Sequence, residues 1–522
     1  MTKETTSNKR IAKNTMYLYL RMLVIMLVTL YTSRIVLQEL GVDDYGVYMV
    51  VGGVVSLFSF LNNSMTASTQ RYLNYEMGGA GHDSPRLRTI FSTSLTIHLC
   101  IAAAVVILCE TIGLWFVNTQ LVVPGGKMTA TNIVYQTTVL GFCITIMRVP
   151  FNAAIIAHER MGIYAVMSLA EAVLQLGCAF LLVAIAGGSR LAIYGCLVLG
   201  VQFLIATGYT WICMRRFKEC TLKPARDPKL FREMSGFAGW NMLGSIAWVA
   251  RGQGAGLILN VFFGPALNAA KGIADQVTHA VHSLTTNFMT AVNPQLTKSY
   301  ASGRIDEMEL LAYRGIKFSC MLIWILALPI IISVDSILSI WLTTVPAYAP
   351  LFLVLILIDC FAGTLFGNPL MTSMSATGRI RNYQIAVSVI LMLVIPGAYI
   401  AFRCGLVPET IFYLNIIFTL AAGVVRLWFC HRQIGFSWGY YFRYAFLSTM
   451  AMAVTSTAFA FALKHLLLVT VHPDRIVMLI ILTFGSLAGA LGATWVFGLT
   501  RGERSKVSGL IRQKLFKTKS IS

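Results

Sequence analysis

The sequence predicts an all-α polytopic membrane protein of about fourteen transmembrane helices, and three observations carry that reading. Apolar residues make up 57% of the chain and charged residues 12%, where ordinary soluble domains hold about 25% charge. Apolar stretches of about 20 residues, the length a helix needs to cross a hydrocarbon core about 30 Å thick, follow one another from end to end. Lys and Arg gather in alternate gaps between these stretches, as they do in cytoplasmic loops. The mean hydropathy of +0.72 agrees.

The polar, basic start with Lys9, Arg10 and Lys13 leads into a first span at 15–37, which lacks a small-residue cleavage site and is expected to remain as a span. A second span, 46–66, is followed by Arg71, Arg86 and Arg88. Spans at 89–116, 131–150, 163–187 and 191–213 complete an N-terminal lobe over 1–213. The largest basic cluster, from Arg215 to Arg232, makes 214–232 a cytoplasmic linker, too short for a folded domain. Spans seven to twelve, at 234–262, 266–292, 312–334, 349–371, 383–402 and 409–430, form a C-terminal lobe over 233–430. Lys298 to Lys317, and Arg379 with Arg381, mark its cytoplasmic loops. Spans thirteen and fourteen, 445–469 and 476–498, occupy 431–499, and 500–522 is a basic cytoplasmic tail. Both termini are then cytoplasmic.

The net charge of +20 invites a nucleic-acid reading. The positions of the basic residues exclude it, because they follow the positive-inside pattern instead of forming one basic face. The 11 cysteines are scattered, mostly within spans, with no C-x-x-C. They read as packing residues, so neither a disulfide framework nor a metal site is expected.

A shift of about 223 residues sets VLQELGVDDYGVYMVVGGVVSLF from Val36 over LNVFFGPALNAAKGIADQVTHAV from Leu259, with Gly41 on Gly264. It also sets TASTQRYLNYEMG over MTAVNPQLTKSYA. Chance likeness between apolar segments is the alternative. A true repeat of this parallel kind implies an axis along the membrane normal and two six-helix lobes with a cavity at their seam. Spans thirteen and fourteen fall outside it.

Charge inside hydrocarbon costs about 2.5–3.5 kcal/mol per residue on insertion scales, so each instance asks for an aqueous cavity or a partner. Lys271, Asp275, His279 and His282 recur at steps of four, four and three and share one face of span eight, with Asn268 just before them. The row faces the cavity, or else Lys271 pairs with Asp275 and the histidines bond to neighbouring helices. Gly52, Ser56, Ser59 and Asn63 make the matching face of span two, with helix packing as the alternative. Arg251 lies inside ARGQGAG, where glycines weaken the helix; no strand precedes it and the spacing is not that of a nucleotide-binding loop. Its guanidinium is a bidentate phosphate anchor or a partner for an acid such as Asp275. Arg34 stands between substrate anchor and salt bridge to Glu39, Asp43 or Asp44. Glu110, Glu171 and Asp359 are isolated acids, either proton or cation sites or structural pairs. The expected cargo contacts are therefore Arg251, Lys271, Arg34, Asn63 and Ser59. Ion coupling is expected at Asp275, His279, His282 and Asp359, with no catalytic residue.

The stretches NTMYLYLRMLVIMLVTLYTSRIVLQELGVDDYGVYMVVGGVV (Asn14–Val55), ASTQRYLNYEMG (Ala67–Gly78), RVPFNAAIIAHERMGIY (Arg148–Tyr164) and NPQLTKSYASG (Asn293–Gly303) resemble the multidrug/oligosaccharidyl-lipid/polysaccharide exporter (MOP) superfamily. More specifically the chain resembles Wzx-type polysaccharide and O-antigen flippases. That resemblance implies two bundles of six helices rocking between inward- and outward-facing states in the bacterial inner membrane. It implies a cargo of undecaprenyl-diphosphate-linked oligosaccharide, moved from the cytoplasmic to the periplasmic leaflet for surface polysaccharide or lipopolysaccharide. Membrane lipids and polysaccharide polymerase or export machinery are the implied partners, and Na+ or H+ coupling takes the place of a cofactor. The cationic cavity residues of such flippases match Arg34, Arg251 and Lys271 by approximate position. A cation-coupled multidrug antiporter of the same superfamily is the second reading, and it calls for an acidic cavity. A membrane enzyme of glycan assembly is third, against the short loops.

Overall fold

The computed structural model describes residues 2–80, 84–158, 160–185, 187–221, 227–470, 474–505 and 508. The middle of the expected linker (222–226), most of the basic tail and the side chain of Asn63 lie outside the described residues. Among those described the chain is helical, with no strand. Helix α1 (Thr2–Ser56) is followed by α2 (Ser59–Ala80), then by α3 (Pro85–Leu108), which passes through a π-turn into α4 (Leu114–Thr119). Next come α5 (Met128–Ala157), α6 (Met161–Ala184), α7 (Arg190–Arg216), α8 (Pro228–Phe263), α9 (Pro265–Ala301) and α10 (Ile305–Ile332). Shorter pieces follow: α11 (Val334–Trp341), α12 (Ala349–Leu365), α13 (Asn368–Ala376), α14 (Arg381–Met392) and α15 (Val394–Arg403). The last are α16 (Thr410–Ile434), α17 (Trp438–Tyr440), α18 (Leu447–Thr470) and α19 (Arg475–Ala493).

Helix ends follow local chemistry. Asp227 caps α8, its carboxylate accepting from the Leu230 N–H at 3.0 Å, with Pro228 at the first helical position. Arg215 and Arg216 occupy the last turn of α7, where the helix dipole favours cations. Gly435, at φ 92°, closes α16 in the left-handed conformation.

Twelve described helical segments are long and apolar enough to cross a membrane. The two expected spans that fall short are the second and the eighth. The first crossing, Met22–Ser56, absorbs the start of span two, and the helix then breaks at Leu57 and Phe58 before α2. Span eight lies in α9, where the ionisable row lowers its hydropathy. These are the two spans that the 223-residue shift equates.

The backbone breaks in the same way at both copies. Gly41 interrupts α1 at φ 77°, ψ 171°, and Gly264 separates α8 from α9 at φ 85°, ψ −177°. That conformation belongs almost to glycine alone.

The chain divides into two compact units. The first comprises Met1–Gly272, Trp341–Ala349 and Met392–Pro408; the second comprises Ile273–Ile340, Pro350–Leu391 and Glu409–Ser522. In the first, α5 packs on α7, α1 on α6, and α2 and α15 on α8. The Ser68 hydroxyl donates to the Met234 carbonyl at 3.0 Å across the α2–α8 contact. In the second, α10 packs against the α18–α19 pair and α13 joins α10 to α16.

Side chains are distributed as lipid solvent demands. Val166 and Phe484, both 67% exposed, stand outward, while Ser92, Ser94 and Thr131 are buried. Hydroxyls within helices return to carbonyls one turn back, as Thr96 does to Ser92 at 2.9 Å, or cross to a neighbour, as Thr69 and Ser94 do at 2.8 Å. With no water in the bilayer core, every such group needs a partner within the protein.

Candidate functional site

In the first unit, the segment of α1 after Gly41 runs against the hairpin of α8 and α9. Small residues set the approach. Gly46 abuts the Pro265 carbonyl with no room for a side chain. A Cβ at Gly53 would lie 3.2 Å from Gln253 Oε1, and one at Gly272 would lie 3.0 Å from Met49 Cγ. Within the hairpin, Gly256 plays the same part: a Cβ there would meet Asn268 Oδ1 at 3.4 Å and Lys271 Cδ at 4.0 Å. Gly256 of the ARGQGAG stretch therefore lets Asn268 and Lys271 of α9 lie close across α8.

That packing brings two expected features together. Asn268 is buried, at 3% exposure, and its amide Nδ2 has no hydrogen-bond acceptor among the described residues. Lys271, half-buried, lies nearly one turn further along α9 and also over Gly256. Arg251, also half-buried, is five residues before Gly256 on α8, about 7.5 Å along the axis. Arg251, Asn268 and Lys271 place three donor side chains on this hairpin.

Other expected residues are placed differently. Arg34 is half-buried in α1 between Ser33 and Ile35, both buried. Of the acids near it in sequence, Glu39 binds Arg190 at 2.9 Å and Asp44 binds Lys127 at 2.6 Å. Ser59 is the first residue of α2, beyond the break, so the expected face of span two is divided between helices. Asp275, His279 and His282 keep one face of α9, in the second unit, with Asp275 half-buried and both histidines exposed. Thr286, one turn beyond, meets His282 Nδ1 at 3.3 Å. Asp359 in α12 accepts from the Thr419 hydroxyl of α16 at 2.6 Å.

Three polar clusters escaped the sequence reading as clusters. Glu171 of α6 binds Arg148 of α5 at 3.1 Å and accepts from Gln202 of α7 at 3.3 Å, while Arg148 stands over the Tyr209 ring. At the end of α5, His158 meets Glu219 at 2.5 Å and stacks on Phe217 at 4.2 Å. In the second unit, Lys317 of α10 is wholly buried and binds Glu503 at 2.6 Å. Lys317 reads as a loop cation by its neighbours Arg304 and Arg314. Glu503 could have been found from T-x-x-E: the Thr500 N–H donates to Glu503 Oε2 at 2.8 Å and the Glu503 N–H returns to Thr500 Oγ1 at 3.4 Å, a reciprocal cap.

By sequence, no family model and no curated protein matches the chain. By structure, it is similar to the lipid II flippase MurJ in an inward closed conformation, with a TM-score of 0.66 at 9% identity over 93% of this chain and 98% of that one. It is also similar to a MATE protein crystallised in complex with MaD3S, with a TM-score of 0.58 at 14% identity over 81% of this chain and 96% of that one. A third is a MOP superfamily transporter from Pyrococcus furiosus, described as having a binding pocket of reverse polarity that suggests a different function; its TM-score is 0.57 at 15% identity over 81% of this chain and 96% of that one. The chain is thus an all-α polytopic membrane protein with the fold of the MOP superfamily of transporters.

Proposed function

We propose that the protein is a flippase that carries undecaprenyl-diphosphate-linked oligosaccharide from the cytoplasmic to the periplasmic leaflet of a bacterial inner membrane, with both termini cytoplasmic. Two six-helix lobes, 1–213 and 233–430, would exchange inward- and outward-facing states, and no chemical step is required. The observation that carries the reading is the α8–α9 hairpin, where a buried amide donor at Asn268 lies without an acceptor among the described residues, beside Lys271 on the Gly256 contact. A buried donor left unpaired costs about 1–3 kcal/mol, and a diphosphate oxygen supplies what it lacks. Arg251 would add a bidentate contact. Likeness to the lipid II flippase MurJ over 93% of the chain, against 81% for the MATE proteins, supports a lipid-linked cargo.

Transport by conformational exchange requires only that cargo and an ion gradient bias two states differently. Asp275, His279 and His282 would couple Na+ or H+, with Asp359 as a second acid, because their charge can change where that of Arg251 cannot. The same row, with the MATE likeness, favours cation-coupled drug export as the second reading. Stabilisation of the purified protein against heat decides between them. Undecaprenyl diphosphate should stabilise it and a lipophilic cationic drug should not; the reverse result selects the antiporter.

A further inference from the structure

Where α9 turns into α10, the second unit holds a cavity of about 400 Å³ whose walls include Ser299, Arg304, Glu307, Leu310, Leu311 and Arg314. Two guanidiniums face one carboxylate, so the cavity is cationic. Arg304 is drawn to Glu307 at 2.8 Å, but both side chains are more than half exposed, and such a surface pair holds its partners weakly. Arg314 donates from Nε to the Tyr444 hydroxyl at 3.4 Å, and its two terminal nitrogens have no acceptor among the described residues. The Ser299 side chain, largely buried, adds a hydroxyl. Leu310 and Leu311 supply an apolar wall beside these donors.

We propose that this cavity binds a phosphate group, as the headgroup of an anionic phospholipid or as a free ion, with Arg314 and Arg304 as its ligands. The proposal goes beyond the transport reading and does not depend on it. A phosphate offers acceptor oxygens at the geometry a guanidinium fork requires, and the leucines suit a headgroup with its first methylenes attached. With two guanidiniums to one carboxylate, the charge of the site favours an anion over a cation.

The site also reaches the C-terminal segment. Tyr444 accepts from Arg314 and donates to Glu503 Oε1 at 2.5 Å, and Glu503 in turn binds Lys317. A phosphate on the free nitrogens would fix Arg314 against Tyr444 and so tighten the contact that holds Thr500 to Arg504.

The test is thermal unfolding of the purified full chain in detergent, titrated with phosphatidic acid, with phosphatidylcholine and with inorganic phosphate. Arg304→Gln, Arg314→Gln and, as control, Arg381→Gln at the exposed start of α14 are compared. Phosphatidic acid should raise the unfolding temperature where phosphatidylcholine does not, and each pocket variant should weaken its half-saturation about tenfold or more while Arg381→Gln leaves it unchanged. Arg304 is exposed, so Arg304→Gln alone carries the test if Arg314→Gln does not fold. If inorganic phosphate stabilises with the same arginine dependence, the source is the free ion; if only the lipid does, the source is the headgroup. No stabilisation by either, or equal weakening by Arg381→Gln, overturns the site.

Discussion

Replacing Glu503 by Gln tests the buried ion pair of the second unit, Lys317 with Glu503. Lys317 is wholly buried, and its ammonium lies 2.6 Å from Glu503 Oε2 and 4.3 Å from the centre of the Tyr444 ring. Burial pushes the Glu503 carboxyl up, but hydrogen bonds from Lys317, Tyr444 and the Thr500 N–H outweigh it and hold the group down at about 2, against an ordinary 4.5. A depressed carboxylate contributes stability that is present above pH 4.5 and is lost as pH falls toward 2. A displacement of that size corresponds to roughly 3 kcal/mol, which agrees with the 3–5 kcal/mol typical of breaking a buried pair from one side. For a cooperative unit of roughly 200 residues, about 2–4 °C per kcal/mol makes the expected fall in Tm about 6–12 °C at pH 7. The assay is thermal unfolding in detergent from pH 7 to pH 3, where the variant should also lose the acid-dependent part of its decline. Lys317→Met with Glu503→Gln should recover most of the loss, since apolar replacement of both partners removes the stranded charge. An unchanged Tm in Glu503→Gln, or a double variant no better than the single, would refute the reasoning.

Gly264→Ala should lower Tm through about 1–3 kcal/mol of backbone strain at φ 85°, and Gly41→Ala should do the same; a neutral result at both positions would remove the argument from shared geometry. Glu171→Gln should destabilise by about 1–3 kcal/mol by stranding Arg148, while the pH or sodium dependence of transport stays as in the wild type; an altered ion dependence would make Glu171 a coupling group. Asp275→Asn should leave cargo binding measurable and flatten the dependence of transport on pH or sodium. Retention of the wild-type dependence by a folded Asp275→Asn protein would eliminate its coupling role.

Much of the fold was legible because bilayer physics writes it in composition and loop charge. The match of Gly41 with Gly264 was legible as punctuation, and the two backbones break at similar angles. The break after Ser56 was not legible, since Leu57 and Phe58 are apolar and continue the hydrophobic run. Pairing across the fold was hidden for a different reason. Arg148 and Glu171 are 23 residues apart, and Lys317 and Glu503 are 186 apart, so no local spacing announces them. Glu39 and Asp44 stand near Arg34 in sequence, and Arg190 of α7 and Lys127, just before α5, reach them from far along the chain. The helical row on α9 was legible because its period is intrinsic to one element; what meets it depends on packing.

The flippase reading is tested most directly by measuring translocation of undecaprenyl-diphosphate-linked oligosaccharide in proteoliposomes, reading its accessibility to an external glycosidase. Wild-type protein should equilibrate the lipid across the bilayer. Arg251→Ala should bind cargo roughly ten- to a hundred-fold more weakly, for the loss of about 1.5–3 kcal/mol of charge-assisted contact, and Arg251→Lys should recover only part. Translocation no faster than in protein-free vesicles, or wild-type rates in normally inserted Arg251→Ala protein at limiting cargo, would contradict the account.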